Sequence, residues 1–157
     1  MSPYALAASA FPPAVNSRYS VPAAWAAIDD PAERTETALL ELYAFYTHTR
    51  GMYESLFRDE ELVPAVRRRM RDIHEYLRRA QDALMAHRGL RGRAASRTRA
   101  AIGHAVAFST WRSLTQDQRL HEADAVALMC RLVSEAAYLR EPPSQTGERA
   151  TLPPPPS

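Results

Sequence analysis

The chain has 157 residues, enough for one domain with a sizeable core, and its 46% apolar and 24% charged content is ordinary for a globular protein. A formal charge of +2 is too small to imply nucleic-acid binding by itself. No apolar run approaches the roughly 18 residues of a membrane span, and the apolar stretch 4–10 has no basic residue before it, as a secretory signal requires.

Proline placement divides the chain. Of 12 prolines, only Pro64 falls between Ala32 and Glu141, so that stretch is permissive for helix throughout. Residues 1–29 are expected to be an irregular N-terminal segment, 30–140 a helical domain, and 141–157 a disordered Pro-rich tail with too little apolar surface to fold. The first helix should start at Pro31, with Asp30 as its cap and Glu33 in its first turn. Its apolar positions Ala38, Leu39, Leu42, Tyr43, Phe45 and Tyr46 recur at threes and fours. Gly51 predicts a bend, and Met52, Leu56 and Phe57 continue the pattern to about Arg58. The second helix is predicted over 61–87, with Pro64 in its first turn. Its stripe of Val63, Val66, Met70, Ile73, Leu77, Ala80 and Leu84 is the most regular in the chain. Gly89 and Gly92 then mark a turn. The third helix is predicted over 94–114, carrying Ile102, Ala105, Val106, Phe108 and Trp111. Gly103 within it costs roughly 1 kcal/mol relative to alanine. The fourth is predicted over 122–139, with Ala125, Leu128, Met129, Leu132, Val133 and Ala136 as a stripe wide enough to meet two surfaces. No strand-like alternation occurs. The expected fold is all-α, an antiparallel bundle of four to five helices.

Signatures of catalysis are missing. The sequence has no glycine-rich phosphate loop, no H-E-x-x-H and no G-x-S-x-G, so an enzyme is not expected. None of His48, His74, His87, His104 and His121 are paired at helical i, i+4 spacing, so neither a metal site nor a cofactor is expected. The lone Cys130 lies in the last apolar stripe, where a small buried hydrophobe is the simple reading. With no disulfide possible within the chain, a cytoplasmic location is expected. All 20 basic residues are arginine. Residues 29–61 hold nine acids and three arginines, a balance of −6, whereas 67–99 hold eleven arginines and three acids, a balance of +8. The second block reads either as a contact for an acidic partner or as a polar helix face that pairs with the acidic first helix. Two aromatic groups carry a similar choice between core packing and a ligand pocket. They are Tyr43, Tyr46 and Tyr53 with Met52 on the first helix, and His104, Phe108 and Trp111 on one face of the third.

The run AIGHAVAFSTWRSL from Ala101 to Leu114 resembles the penultimate helix of a TetR-type transcriptional regulator. EADAVALMCRLV from Glu122 to Val133 is similar to that family's last helix. Upstream, AWAAIDDPAER from Ala24 and ELYAFY from Glu41 resemble the entry to its effector-binding domain. Together these stretches reach across about 22–139. The resemblance implies a C-terminal domain that binds a small, often hydrophobic effector and forms a homodimer through its last two helices. It assigns Tyr43, Tyr46, Met52, Met70, His74, Leu77, His104 and Phe108 to the pocket. It assigns Trp111, Leu114, Leu128, Met129, Leu132 and Val133 to core and subunit contacts. Three DNA-reading helices cannot fit in the 21 residues before Pro22, which include three prolines, so the expected protein lacks its own helix-turn-helix and does not bind DNA directly. The other reading is a stand-alone helical interaction module that uses the Arg-rich second helix.

Overall fold

The structure, a computed structural model, describes residues 22–60 and 62–140, and every regular element among them is helical. The expectations for 1–21 and for the 141–157 tail lie outside the described residues. Helix α1 spans Pro22–Ala26, α2 Pro31–Asp59, α3 Pro64–Met85, α4 Gly92–Ala105, α5 Phe108–Arg112 and α6 Glu122–Glu135. A π-helical turn, Ser113–Asp117, follows α5, and a 3-10 turn, Ala136–Tyr138, follows α6. This is the all-α bundle that the spacing of apolar residues predicts. None of the described helices is long and apolar enough to cross a membrane.

The start of α2 is built as its sequence dictates. Asp30 sits in extended backbone, its Oδ2 accepts from the Glu33 amide at 2.8 Å, and Pro31 begins the helix. Gly51 does not interrupt the helix. The backbone runs through it without a break, because Tyr46 on one side and Tyr53 and Leu56 on the other are all buried on the same stripe. Burial of that stripe outweighs the low helix propensity of a single glycine. Helix α3 begins at Pro64, and its exit is a tight reversal in which His87 and Gly89 take φ of 58° and 66°.

Helix α1 lies in a stretch expected to be irregular. Five residues have no helical stability of their own. What holds them is Trp25, 1% exposed, whose indole packs edge-on to Tyr76 at 6.4 Å and whose Nε1 donates to Glu41 Oε2 at 3.1 Å. The side chain is anchored to α2 and α3 together, and tertiary burial of a large aromatic fixes the turn.

The third predicted helix divides. Helix α4 ends at Ala105, Ala107 is extended (φ −72°, ψ 137°), and α5 starts afresh at Phe108. No proline or glycine causes the break. The Tyr43 hydroxyl donates to Ala105 O at 2.9 Å and the Tyr46 hydroxyl to Val106 O at 2.7 Å. These two bonds satisfy carbonyls that the break leaves without helical donors, inside a core where an unpaired carbonyl would be costly. Consequently His104, Phe108 and Trp111 do not share a face. The first is exposed, and the other two point into the core.

The core also contains a charge. Arg34 is fully buried, and its guanidinium donates only to backbone oxygens. Nε reaches Ile28 O at 2.8 Å, Nη2 reaches Asp29 O at 3.1 Å, and Nη1 reaches both Ala86 O and, at 3.4 Å, Ala83 O. One side chain therefore closes the α1–α2 loop and caps the negative end of the α3 dipole. At the other end of the bundle, Arg97 of α4 does the same for α6, donating to Ala136 O at 3.1 Å and Ala137 O at 3.2 Å.

Candidate functional site

A column of aromatic rings runs from the centre of the bundle to its surface. Tyr46 meets Tyr53 edge-on at 5.4 Å, Tyr53 stacks on Phe108 at 4.9 Å, and Phe108 stacks on Phe57 at 5.5 Å with only 10° between the ring planes. Trp111 closes the column from the side, 5.2 Å from Phe108. Ring contacts of this kind add roughly 0.5–1.5 kcal/mol each beyond burial. Burial holds the phenols of Tyr43, Tyr46, Tyr53 and Tyr76 in their neutral form, raising each above its ordinary pKa. The outer end is open, since Phe57 is 42% exposed while Phe108 is 4% exposed. Beside them lies a cleft of about 520 Å³ whose floor is Phe57 and Phe108 and whose rim carries Glu54, Arg58, Arg112 and Asp117.

The residues expected to form a pocket fall into three groups. Tyr43, Tyr46, Met70 and Phe108 are buried in one core cluster, and of these Phe108 also reaches the cleft. Met52 and Leu77 are half-buried against that cluster. His74 and His104 are exposed and stand outside that cluster. His74 lies off the stripe that α3 buries. His104 lies between the buried Ile102 and Ala105 on the outer side of α4, and its Nδ1 lies 3.3 Å from Thr110 Oγ1 over a shallow groove of about 270 Å³ that also touches Leu114. The pattern of the sequence missed Phe57 and Arg112 as site residues. Phe57 follows the buried Leu56 directly, and that position on the helix was the available sign that it points outward.

The expected subunit contacts divide as well. Trp111, Met129 and Val133 are buried within this chain, because α6 lays that side against α2 and α4, and so they are core rather than free surface. Leu114 is half-buried. Leu128 and Leu132 are 48% and 42% exposed, one helical turn apart on the outer face of α6. The ion pair Arg131–Glu135, at 3.2 Å, lies beside them.

Two of the α3 arginines pair within their own helix. Arg78 and Arg79 both bond Glu75, at 2.8 Å and 3.0 Å, and Arg78 also approaches Asp82 at 3.5 Å. These are i, i+3 and i, i+4 neighbours on one helix, and proximity along the helix decides the pairing. The bonds from Arg78 and Arg79 hold the Glu75 carboxyl below its ordinary pKa.

A second cavity, of about 360 Å³, lies where α2 begins and where α3 gives way to α4, with α6 and its 3-10 turn as the far wall. Arg88, His87, Thr98 and Cys130 line it, together with apolar atoms of Leu90 and Val133. Arg88 donates to Leu84 O at 2.7 Å, to Pro31 O at 3.2 Å and to Thr35 Oγ1 at 2.6 Å. Burial and the neighbouring Arg34 lower its pKa from the ordinary arginine value. Burial, with Glu36 nearby, pushes the Cys130 thiol up to about 11.

Among the described residues no three histidine, cysteine or carboxylate side chains converge as metal ligands would. Comparison with protein-family models, curated proteins and solved structures gave no match. The geometry defines the class of this protein as an all-α bundle with an aromatic column open at one end. Its function is therefore read from the chain's own surfaces.

Proposed function

We propose that this chain is the effector-binding and dimerising domain of a TetR-type transcriptional regulator, and that it senses a small, planar, mainly apolar molecule. The observation that carries the reading is the aromatic column, which is packed ring on ring inside and ends in a cleft floored by Phe57 and Phe108. A flat apolar ligand would extend that stack, and the rim offers Arg58 and Arg112 to an acidic substituent and Glu54 and Asp117 to a basic one. The sequence of α4 to α6, with its likeness to the last two helices of that family, supports the same reading. Subunit pairing would use the outer face of α6, where Leu128 and Leu132 are exposed. An interaction module built on the α3 arginines is the weaker alternative, since Glu75 and Asp82 already engage Arg78.

The test uses 8-anilinonaphthalene-1-sulfonate, a planar anion. It should bind saturably at one site per chain, quench Trp111 emission and lose about five- to tenfold in affinity in Phe57→Ala, which removes roughly one stacking surface. Near-ultraviolet circular dichroism of the variant should match the parent. Non-saturable binding, or equal affinity in Phe57→Ala, refutes the ligand site. In sedimentation velocity the parent should run as a dimer at micromolar concentration and Leu128→Arg as a folded monomer. A monomeric parent refutes the pairing.

A further inference from the structure

We infer that the cavity at the Pro31 end of α2 is a second binding site, one for a small monocarboxylate with a short apolar tail. It stands apart from the cleft at Phe57. The two lie at opposite ends of α2, about 30 Å apart at 1.5 Å of rise per residue. The inference therefore does not depend on the function proposed above.

Three features of the cavity point to this ligand class. The first is an incompletely used guanidinium. Arg88 spends Nε and Nη2 on Leu84 O, Pro31 O and Thr35 Oγ1, and its Nη1 has no protein acceptor among the described residues. It also has no carboxylate within ion-pair distance among them. The unused Nη1 of a charged guanidinium is a strong donor to a carboxylate oxygen. The second is Thr98, fully buried, whose hydroxyl has no partner among the described residues although it lines the cavity. A buried hydroxyl left unpaired is costly, and a ligand oxygen would satisfy it. The third is the remaining wall, where Pro31, Leu90, Val133 and Ala137 offer carbon surface beside these donors.

Charges of both signs lie around the cavity. Asp30 also borders the cavity and opposes an anion, but its carboxylate is engaged by the Glu33 amide at the start of α2. Glu36 lies near the Cys130 wall, so Arg88 and the buried Arg34 stand against two acids, and Arg88 is the charge that lines the cavity itself. His87 sits on the rim with φ 58°, in the turn that sends Arg88 back into the bundle.

Hexanoate is the probe, with hexylammonium and hexan-1-ol as controls of equal tail length, measured by calorimetry on the full chain. Hexanoate should bind saturably with Kd on the order of 0.1–1 mM, and each control at least about tenfold more weakly. Thr98→Val keeps the shape and removes the hydroxyl. It should melt at the same temperature or higher, while hexanoate binding falls about three- to tenfold. Ala137→Phe should fill the cavity and abolish binding. Phe57→Ala should leave hexanoate affinity unchanged, which separates this site from the aromatic cleft. The proposal is overturned if hexylammonium binds as well as hexanoate, if Thr98→Val and Ala137→Phe bind like the parent, or if no saturable binding occurs and the cavity holds only water.

Discussion

Replacing Arg34 by methionine removes a charge and five donors while roughly keeping volume. Four carbonyls lose a partner in the variant: Ile28, Asp29, Ala83 and Ala86. Ala83 O still accepts from the Ala86 amide at 3.3 Å, and Asp29 lies at the surface where water can replace the guanidinium. That leaves Ile28 O and Ala86 O, each worth about 1–3 kcal/mol when stranded. The methionine side chain recovers part of this through burial of apolar surface. The net loss should be about 3 kcal/mol, equivalent to a fall of roughly 10 °C in melting temperature for a chain of this size. Urea unfolding followed by far-ultraviolet circular dichroism measures it directly. Arg34→Lys keeps the charge but can reach only part of the acceptor set, and should lose roughly half as much. A loss below about 0.5 kcal/mol for Arg34→Met would refute the reasoning, because it would mean that the carbonyls find other donors without cost.

Alkaline titration tests the buried phenols. The pKa values of Tyr43, Tyr46, Tyr53 and Tyr76 are raised in the folded state above the ordinary 10.0, so their contribution to stability is complete below that pH and is lost as pH rises above it. Absorbance at 295 nm should show four of the seven tyrosines ionising only as helix content collapses, and independent titration of all seven near pH 10 would contradict this. The Cys130 thiol, raised from 9.0 to about 11, should react with iodoacetamide at pH 8 about a hundredfold more slowly than a small free thiol. A rate equal to that of the free thiol would show that burial does not protect it. At Gly103 an added Cβ would meet only Gln81 Nε2, at 2.6 Å, the far end of a flexible side chain that bonds Arg99 O. Gly103→Ala should therefore gain helix propensity, lose that surface bond and stabilise the fold by up to about 1 kcal/mol, measured by urea midpoint. A loss above that size would mean that α3 and α4 approach more closely than this contact implies.

The helices were legible wherever their cause is local. The cap at Asp30, Pro64 in first position and the seven-residue stripe of α3 are each properties of neighbouring residues, and each element formed accordingly. What the sequence hides depends on groups far apart along the chain. The break at Val106 has no proline or glycine to announce it, because its carbonyls are satisfied by phenols from α2, 62 and 60 residues away. That one break separates His104 from the face that Phe108 and Trp111 share with the core. For Arg78 the short reach to Glu75 along the same helix decided the pairing, which the charge blocks alone do not reveal. The position of Arg34 is itself a legible sign of a buried charge. It lies one turn before Ala38 and two before Leu42, on the stripe that α2 buries, and a charge on an apolar stripe must find partners in the interior.

The same tyrosines that end α4 also start the aromatic column, and this joins the candidate ligand cleft to the architecture. Tyr46 holds Val106 O through its hydroxyl while its ring lies 5.4 Å from Phe108, the second residue after that carbonyl. Phe108 in turn is the floor of the cleft. The α4–α5 junction is thus gripped on both sides by one side chain, and between the two helices only Val106 and Ala107 are non-helical. A ligand that tilts Phe108 would act on this short hinge rather than on a continuous helix. Had α4 and α5 formed the single helix expected from the sequence, the same push would be resisted by every backbone bond across the junction. If the cleft takes a ligand as proposed, the break at Val106 and Ala107 is where its push on Phe108 would meet α4.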